Sequence, residues 1–492
     1  MPALPAVISA LLVVLDVALV IGALFVLPGG RRPQTAMAWV LLITVFPLGG
    51  FLIFLTFGRT SVGRKRRQQQ EEINADILAA VPWDEVGDDS RADDLPPLVR
   101  RMVHLNRELA ALPLTHGNSV HLIEDYAGSL EEMRAAIEQA REYVHVQFYI
   151  SAWDDLTSPV FEAMLRAVQR GVTVRFLYDH LGSRGIPVYR ELLRRLEGTG
   201  IQSAPMLPIM PLKGEMRRPD LRNHRKILVV DGLVGFSGSQ NLIEPGYDKP
   251  KNHRIGREWV DLMARLQGPA VRELDVVFAT DWFKETGEDL RTLFDLRTEV
   301  APVREGDLTD VGVQVVPSGP GFASENNLRL FNAMIYSAER RVSLTSPYFV
   351  PDDSLLYAVT TAAQRGVETE LFVSEAADQF MVAHAQSSYY ETLLDAGVRI
   401  WLYPEPYVLH AKHFTVDDSV AIVGSSNMDI RSFALNYEVV MMMTGPEIVR
   451  RLEAVQDGYR SLSRELTLEE WKARGRGRRA IDNLMRLTAT LQ

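Results

Sequence analysis

The sequence predicts an α/β protein: two copies of one domain, preceded by an α-helical transmembrane hairpin. Three observations predict it. From about residue 120 onward, short apolar strands alternate with amphipathic helical stretches, which is typical of α/β layering. The same order of elements returns 195 residues later. The first 60 residues are far more apolar than the rest.

The overall composition limits the classes of function. Hydrophobic residues make up 47% of the 492 residues and charged residues 24%, which excludes a largely disordered or fibrous chain. The formal net charge of −10 disfavours a general polyanion-binding surface, so we expect no nucleic-acid partner. The absence of cysteine excludes disulfides, thiolate metal sites and a cysteine nucleophile.

Two long apolar runs stand at the N-terminus. Residues 5–27 carry one charge, Asp16, and residues 36–57 carry none. At a rise of about 1.5 Å per residue, each run reaches about 33–35 Å, enough to cross a hydrocarbon core of about 30 Å. A cleaved signal peptide is the alternative for the first run, but a basic n-region is missing and a second run follows closely. We therefore predict a two-span hairpin over residues 1–60.

Basic residues flank this hairpin unequally. Arg31 and Arg32 lie in the loop between the runs, and a larger cluster follows the second run: Arg59, Arg64, Lys65, Arg66 and Arg67. Because the more basic side of a span normally faces the cytoplasm, we expect nearly all of the remaining chain there. Residues 61–118 are predicted to form a polar linker with a connecting helix, around residues 71–80. The adjacent cluster favours anionic lipid head groups.

The rest of the chain divides into two similar halves, predicted at residues 119–300 and 301–492. Strand, helix and strand are expected at 143–150, 161–170 and 172–178, and again at 341–349, 354–365 and 368–373. The tetrapeptide Gln-Arg-Gly-Val occurs at 169–172 and again at 364–367. A period of 195 residues is too long for a solenoid and indicates two copies of one domain.

The clearest repeat is a His-x-Lys-x4-Asp motif. The first copy comprises His224, Lys226 and Asp231, and the second comprises His410, Lys412 and Asp417. A Gly-Ser-x-Asn segment follows each copy, at 238–241 and 424–427. One such motif would be weak evidence of a site, but two copies with matching continuations are strong evidence.

Each copy also contains a later acidic residue seven positions before a glycine. These acids are Asp261, before Gly268, and Glu438, before Gly445. They follow the motif histidines of their own copies by 37 and 28 residues, so the intervening loops differ in length. The acids are the best candidates to hydrogen-bond the two imidazoles and to fix their tautomers.

The motif residues have the chemistry of a phosphate site. Segments 227–230 and 413–416 resemble strands, in which residues i and i+2 face the same way, so each histidine shares a face with its lysine. Lysines neutralise phosphoryl oxygens, while hydroxyl and amide groups orient them. Two imidazoles could then stand on opposite sides of one phosphorus for in-line displacement.

The paired motifs resemble those of the phospholipase D superfamily. The whole chain, with its two N-terminal runs, is similar to the bacterial cardiolipin synthases of that superfamily. Supporting stretches lie at 316–320, 346–352, 388–390 and 431–433. The resemblance implies two phospholipase D-like α/β/α domains that form a pseudo-dimer with one shared active site.

The resemblance also implies roles for individual residues. His224 would be the nucleophile that forms a phosphohistidine, and His410 the acid and then the base. Asp231 and Asp417 would shape the motif more than transfer protons. Phosphate contacts would come from Lys226, Lys412, Asn241 and Asn427, with Ser239 and Ser425 or Ser426 as weaker candidates. No metal and no other cofactor is expected.

The implied reaction joins two phosphatidylglycerol molecules into cardiolipin and releases glycerol. Expected partners are phosphatidylglycerol and anionic membrane lipids, and a homo-oligomer is compatible with the sequence. The expected location is the bacterial cell membrane, as a multi-pass protein with its catalytic part in the cytoplasm. The alternatives are a phospholipase D hydrolase, a transferase that uses another alcohol, and an inactive membrane-anchored lipid-binding scaffold. A nuclease of the superfamily is disfavoured by the apolar N-terminus and the acidic balance.

Three local features remain open. Where family members often carry Trp-Arg-Asp-Thr-His, this chain has Trp-Val-Asp-Leu-Met at 259–263, so Met263 could alter the choice of acceptor. Segment 208–221 has no counterpart in the second copy, and either contacts lipid or is a plain surface loop. The basic stretch 471–479 resembles a nucleic-acid tail by charge alone, and we interpret it as a lipid-surface contact.

Overall fold

The computed structural model describes residues 3–29, 33–58, 95–110, 112–210, 215–216, 218–294, 303–320, 322, 325–376 and 378–487. The basic cluster at 59–67, the loop arginines at 31–32 and the predicted helix at 71–80 lie outside these residues. Part of segment 208–221 lies outside them as well.

Three helices form the N-terminal part: α1 (Ala3–Val26), α2 (Pro33–Val45) and α3 (Pro47–Phe57). The second apolar run is divided because Pro47 has no N–H and opens a new helix, with Phe46 as a non-helical N-cap. In the described part of the chain, no helix is both long and apolar enough to cross a membrane. The structure thus does not support the predicted two-span hairpin, and for the second run Pro47 is the reason.

The strands of the two halves alternate with helices as the sequence predicted. The first half contains β1 (Thr115–Ile123), β2 (Tyr143–Phe148), β3 (Thr173–Asp179), β4 (Gln202–Met206), β5 (Ile209–Met210), β6 (Glu215–Met216), β7 (Arg222–Asn223), β8 (Ile227–Val230), β9 (Val234–Gly238), β10 (Trp259–Val260) and β11 (Met263–Gln267). The second half contains β12 (Leu308–Ser318), β13 (Arg341–Thr345), β14 (Phe349–Val350), β15 (Glu368–Ser374), β16 (Arg399–Tyr403), β17 (Val408–Leu409), β18 (His413–Val416), β19 (Val420–Gly424), β20 (Met428–Asp429), β21 (Asn436–Thr444) and β22 (Arg464–Leu466).

The helices that follow the N-terminal part cover this sheet. They are α4 (Pro97–Ala110), α5 (Tyr126–Glu138), α6 (Ser158–Gln169), α7 (His180–Arg184), α8 (Tyr189–Leu196), α9 (Pro250–Ile255), α10 (Ala270–Thr286), α11 (Asn326–Ser337), α12 (Asp353–Gln364), α13 (Phe380–Asp395), α14 (Ile430–Ala434), α15 (Pro446–Leu462), α16 (Leu468–Lys472) and α17 (Arg476–Arg486). A short 3-10 helix spans Arg291–Phe294.

One continuous sheet passes through both halves. Its order is β22-β16-β15-β13-β18-β19-β21-β12-β1-β11-β9-β8-β2-β3-β4. From the central antiparallel pair β1–β12 outward, the two halves present equivalent strands in the same order. The repeat seen in the sequence is therefore a repeat of the fold, in which the first half begins with β1 at Thr115, four residues before the predicted boundary.

Alternate residues of the strands pack on opposite faces of the sheet, as a period of two requires. In β15, Leu371 and Val373 join the apolar core under α11, α12 and α13, whereas Phe372 joins the core on the other face. The long helices α10 and α15 cover that other face across both halves. This layering fixes the sheet between helices and leaves its irregular connections to form the site.

Asp231 and Asp417 close equivalent turns in the two halves. Asp231 ends β8 with φ of 53° and accepts hydrogen bonds from the backbone N–H groups of Arg141, Glu142 and Tyr143 at 2.8, 2.9 and 2.8 Å. Asp417 has φ of 52° and binds the N–H groups of residues 339–341 in the same way. Aspartate tolerates this left-handed conformation better than most residues. Each turn therefore uses both the backbone conformation of its aspartate and the hydrogen-bond acceptors of its carboxylate.

Replacing Asp417 should destabilise the second half. Asp417→Ala removes the acceptor for three N–H groups and places alanine in a left-handed conformation, which we expect to lower the free energy of unfolding by roughly 2–3 kcal/mol. The matched control is Asp418→Ala, because Asp418 is exposed and its ion pair is with the surface Arg340. The measurement is the thermal unfolding midpoint of each variant in the same detergent. Equal midpoints for Asp417→Ala and Asp418→Ala would contradict the turn-closing role of Asp417.

Candidate active site

Two short parallel bridges bring the halves together at the motif histidines. β7 pairs with the start of β21, with Asn223 opposite Tyr437, and β10 pairs with β17, with Val260 opposite Leu409. The N–H of His224 then donates to the carbonyl of Tyr437 at 2.8 Å, and the N–H of His410 to that of Val260 at 2.7 Å. Each motif is thereby held against a strand of the opposite half.

The acidic residues pair with the histidines of the opposite half. Nδ1 of His224 lies 3.0 Å from Oε2 of Glu438, and Nδ1 of His410 lies 2.7 Å from Oδ1 of Asp261. The sequence identified these four residues but not which acid meets which imidazole. The crossed pairing explains why the spacing within each copy differs, because no loop has to return an acid to its own histidine.

Ser239 and Ser425 hold the carboxylates in place. Their hydroxyls donate to Asp261 and to Glu438, each at 2.6 Å. Each hydroxyl also accepts a hydrogen bond, from the N–H of Leu262 and Val439 respectively, at 3.0 Å. The structure therefore places these two serines on the acids, whereas the sequence suggested that they contact phosphate. Ser426, the other candidate, donates to the carbonyl of Asn427 at 3.3 Å.

Lys226 and Lys412 are buried beside the histidines. Nζ of Lys226 donates to the carbonyl of His224 at 2.6 Å, and Nζ of Lys412 donates to the carbonyl of His410. Within the described residues these are the only hydrogen bonds that the two ammonium groups make, so each has N–H groups left for an anion. The ring of Tyr149 packs against both residues of the first motif. Its centre lies 4.9 Å from the ring centre of His224, in an edge-on arrangement, and 5.4 Å from Nζ of Lys226.

The two asparagines lie at the same place in their halves but differ in their contacts. Asn241 accepts a hydrogen bond from the N–H of Ile150 at 3.2 Å and donates to the hydroxyl of Tyr247 at 2.8 Å. Asn427 is also buried, but its Oδ1 has no hydrogen-bond partner among the described residues. Asn241 thus positions the loops around His224, whereas the amide oxygen of Asn427 is left unbound among these residues.

Burial controls the protonation of the site. It lowers the pKa of His224 to about 4 despite the opposing charge of Glu438, and that of His410 to about 4 despite Asp261. Burial also lowers the pKa of Lys412 to about 8 and that of Lys226 well below its usual value, with Lys412 adding to the latter effect. An anion placed between the two lysines would reverse these shifts.

The two acids stay ionised in spite of their burial. Burial opposes the charge of Asp261, but His410 and Lys412 outweigh it and lower the pKa of Asp261 to about 2. Burial likewise opposes the charge of Glu438, and His224 and Lys226 lower its pKa below the usual value. A neutral imidazole beside a carboxylate donates its Nδ1–H, which leaves the lone pair of Nε2 free to attack or to accept a proton.

Arg225 is a functional residue that motif reasoning missed. It stands between His224 and Lys226 and is buried. Its guanidinium binds Asp281 at 2.5 Å, the carbonyl of Ser318 at 3.2 Å and the carbonyl of Glu438 at 3.0 Å. It therefore ties the first motif to the strand that carries the acid of the other half. The sequence indicated this residue only by its position, since Arg225 is a charged residue between His224 and Lys226.

A polar group from the second half also borders the site. Tyr348 donates its hydroxyl to Asp378 at 2.8 Å and accepts from Gln379 at 3.1 Å. The charge of Asp378 acts on both Lys412 and Tyr247. Tyr348 lies in the supporting stretch 346–352, but neither it nor Asp378 was predicted as a site residue.

Met263 is fully buried in the apolar core of the first half, so the departure at this position changes core packing. Among the described residues, no group of three histidine, aspartate or glutamate side chains could hold a metal ion. The chemistry offered is two imidazoles, each aligned by a carboxylate, beside two ammonium groups.

The protonation state can be read directly. With ¹⁵N-labelled histidine in the substrate-free protein, His224 and His410 should give neutral-imidazole signals at pH 6, with the proton on Nδ1, because their pKa values are lowered to about 4. Exposed His253 is an internal control: Glu244 raises its pKa, so it should be protonated in the same sample. Imidazolium signals from the motif histidines at pH 6 would contradict the assignment.

The crossed pairing makes a separate prediction. Asp261→Asn should shift the ring signals of His410 and leave those of His224 in place, since Asp261 bonds His410. Glu438→Gln should do the reverse. If Asp261→Asn instead moved the signals of His224, each acid would hydrogen-bond the motif histidine of its own half, which would contradict the crossed pairing.

The sequence matches two family models. The model described as "Cardiolipin synthase, PLD-like domain" matches residues 133–282 and 331–458, and the model described as "Phospholipase_D-nuclease N-terminal" matches residues 14–59. The two copies of the first model contain the two motifs, and the second model covers most of helices α1 to α3.

Similar proteins extend over nearly the whole chain. Cardiolipin synthase A of Proteus mirabilis is 32% identical over 468 residues, which is 95% of each chain. Cardiolipin synthase A of Serratia proteamaculans is 33% identical over 459 residues, or 92% of each chain. A solved phosphatidylserine synthase of Haemophilus influenzae has the same fold, with a TM-score of 0.60 and 15% identity over 81% of this chain and 98% of that one. On this evidence the chain belongs to the cardiolipin synthase family with phospholipase D-like domains.

Proposed function

We propose that this chain is a phosphatidyltransferase that makes cardiolipin from two phosphatidylglycerol molecules and releases glycerol. The observation that carries the proposal is the pair of crossed histidine–carboxylate contacts beside two buried lysines. Such an arrangement suits in-line transfer at phosphorus, with one group on each side. The relatives that cover nearly the full chain are cardiolipin synthases.

Phosphodiester binding follows from the buried lysines. Besides burial, the charge of Lys412 lowers the pKa of Lys226, and both ammonium groups lower the pKa values of His224 and His410. A phosphodiester between them would neutralise this repulsion and occupy their free N–H groups. Asn241 and Asn427 would border the phosphate, in keeping with the family resemblance.

The first step would form a covalent phosphohistidine. Nε2 of His224 attacks the phosphorus, and the bond from phosphorus to the oxygen of the head-group glycerol breaks. His410, which gains a proton on Nε2 when the anionic phosphodiester binds, gives that proton to the leaving oxygen. In the second step His410 takes the proton of a hydroxyl on the second phosphatidylglycerol. That oxygen then attacks phosphorus, the bond to His224 breaks, and cardiolipin leaves. The resemblance assigns which histidine attacks, and the experiments below separate the roles.

Water, or a different alcohol, could use the same intermediate, so a hydrolase is the second candidate within this class. The geometry of the histidines does not distinguish water from alcohol. An inactive lipid-binding scaffold is disfavoured because both histidines keep their carboxylates and both lysines are in place. Hydrolysis is therefore the main outcome to exclude.

We further propose that helices α1 to α3 attach the chain to the bilayer, with the catalytic halves on the cytoplasmic side. Large apolar side chains of these helices are exposed, including Leu11, Phe25, Met37 and Val45. Such a surface favours lipid over water. Protease digestion of sealed inverted vesicles should release the catalytic part, whereas protection there would refute the orientation.

The division at residues 119–300 and 301–492 stays part of the proposal. The family matches at 133–282 and 331–458 fall within these limits, and the topology suggests extending the first half to β1 at Thr115. A homo-oligomer remains compatible with the sequence.

The product identifies the acceptor. Vesicles that contain labelled phosphatidylglycerol and the purified full-length protein should yield cardiolipin and glycerol in equal amounts. A second phosphatidylglycerol that is held at the site should reach the phosphohistidine before bulk water does. Lipid chromatography measures the outcome, and phosphatidic acid without cardiolipin would indicate the hydrolase.

Single histidine variants separate the two chemical roles. His224→Ala and His410→Ala should each reduce turnover of phosphatidylglycerol by about 1,000-fold or more, because each removes a reacting group. A phosphodiester with p-nitrophenol as leaving group needs no acid for departure. His410→Ala should therefore give a burst of p-nitrophenol without turnover, and His224→Ala no burst.

His253→Ala is the matched control, since His253 is exposed and pairs with Glu244 outside the motif. It should retain the unmodified rate. A burst only in His224→Ala would exchange the two roles, and steady turnover by either motif variant would rule out the two-histidine mechanism.

A further inference from the structure

Helix α17 presents a row of exposed apolar side chains. Ile481 is 43% exposed and Leu484 57%, and Leu487, which follows the helix, is 79% exposed. Residues three apart lie along one side of a helix, so these side chains form one stripe. An apolar stripe on the outermost helix needs a partner that is itself apolar.

Specific contacts fix how α17 is oriented. Asp482 is buried, where it binds His384 of α13 at 2.6 Å and Arg474 at 2.9 Å. The guanidinium of Arg486 lies 4.5 Å from the ring centre of Tyr389, also on α13. These contacts hold one side of α17 against α13, so the stripe at Ile481 and Leu484 stays outside.

The same helix carries uncompensated positive charge. Arg476 and Arg478 are exposed, and in the described part of the chain neither forms an ion pair with a carboxylate. Other basic residues of the tail are engaged: Lys472 pairs with Asp395 and Arg474 with Asp482. Arginines beside an apolar stripe are typical of a helix that lies in the interface of an anionic bilayer.

The start of α13 extends this apolar surface towards the site. Phe380 is 66% exposed and Met381 42%. The ring of Phe380 packs edge-on against His384, 4.4 Å away, and His384 binds Asp482 of α17. Two residues before Phe380, Asp378 acts electrostatically on Lys412. Through the start of α13, the exposed surface of α17 and Phe380 is therefore connected to Asp378, whose charge acts on Lys412.

We propose that this surface, formed by Ile481, Leu484, Leu487, Phe380 and Met381 with Arg476 and Arg478, docks on a bilayer of anionic lipid. The importance of docking for catalysis rests on the proposed function, but docking itself can be measured without turnover. A lipid surface suits it because apolar and basic side chains share one face, whereas a second copy of this acidic chain would complement only the arginines. Docking would keep the site at the depth of the lipid head groups.

The absence of cysteine permits a direct test on the full-length protein. Leu484→Cys carries a nitrobenzoxadiazole fluorophore, and the protein is reconstituted in vesicles that contain doxyl-labelled lipid. The matched control is Glu447→Cys, at an exposed position of α15, which covers the opposite face of the sheet. Vesicles of phosphatidylcholine with phosphatidylglycerol are compared with vesicles of phosphatidylcholine alone.

The label at position 484 should be quenched severalfold more than the label at 447, and only with phosphatidylglycerol present. Arg476→Gln and Arg478→Gln should weaken docking by roughly fivefold each, because a basic residue near an anionic surface contributes about that factor. Equal quenching at both positions, or equal quenching without phosphatidylglycerol, overturns the proposal. Shielding of residue 484 that grows with protein concentration and needs no lipid also overturns it, in favour of a second copy.

An activity measurement distinguishes a failure of docking from a failure of the proposed function. Leu484→Asp should lower transfer from vesicle phosphatidylglycerol severalfold and leave transfer from a short-chain, water-soluble phosphatidylglycerol unchanged. Unchanged rates on both substrates, or equal losses on both, would count against docking. Absence of transfer in the unmodified protein would instead refute the proposed function and leave the fluorescence result standing.

Discussion

The site depends on one constraint: each motif histidine is aligned by a carboxylate from the other half of the chain. Neither motif histidine takes its carboxylate from its own half, so the two halves cannot act separately. The continuous sheet, centred on the antiparallel β1–β12 pair, holds the halves in register. The short bridges β7–β21 and β10–β17 then place each histidine beside its acid. A shift of either bridge by one residue would misplace an imidazole, since neighbouring residues of a strand face opposite ways.

Charge balance explains how such a buried site can exist and what it would bind. Burial lowers the pKa values of Lys226 and Lys412, and the charges of Asp261 and Glu438 oppose that effect, while the imidazoles, with pKa values of about 4, are neutral at neutral pH. Buried charges are tolerated when opposite charges nearby offset them. A phosphodiester adds one negative charge, which one added proton on an imidazole would offset. Substrate binding would thus supply the protonated acid that the free site lacks.

Much of this arrangement could be predicted from the sequence, because it lies in local patterns. The alternating strands, the repeat, the two motifs and the later acids are all visible there. The crossed pairing was not, since it depends on bridges of only two residues that carry no periodic signal. The roles of Ser239 and Ser425 also required the structure, because a serine hydroxyl can bond a phosphate or a carboxylate and the sequence does not show which partner it has. The length of the apolar run at 36–57 suggested a single helix, but a new helix starts at Pro47 within that run.

The central claim is that two halves make one site with one covalent intermediate. Its most direct test is intact mass measurement of the full-length protein, quenched under alkaline conditions during turnover of phosphatidylglycerol, followed by mapping of the modified peptide. The account predicts a mass increase of one phosphatidyl group per chain, located on His224. Two groups per chain, or labels shared between His224 and His410, would contradict it, because each half would then act as a site of its own.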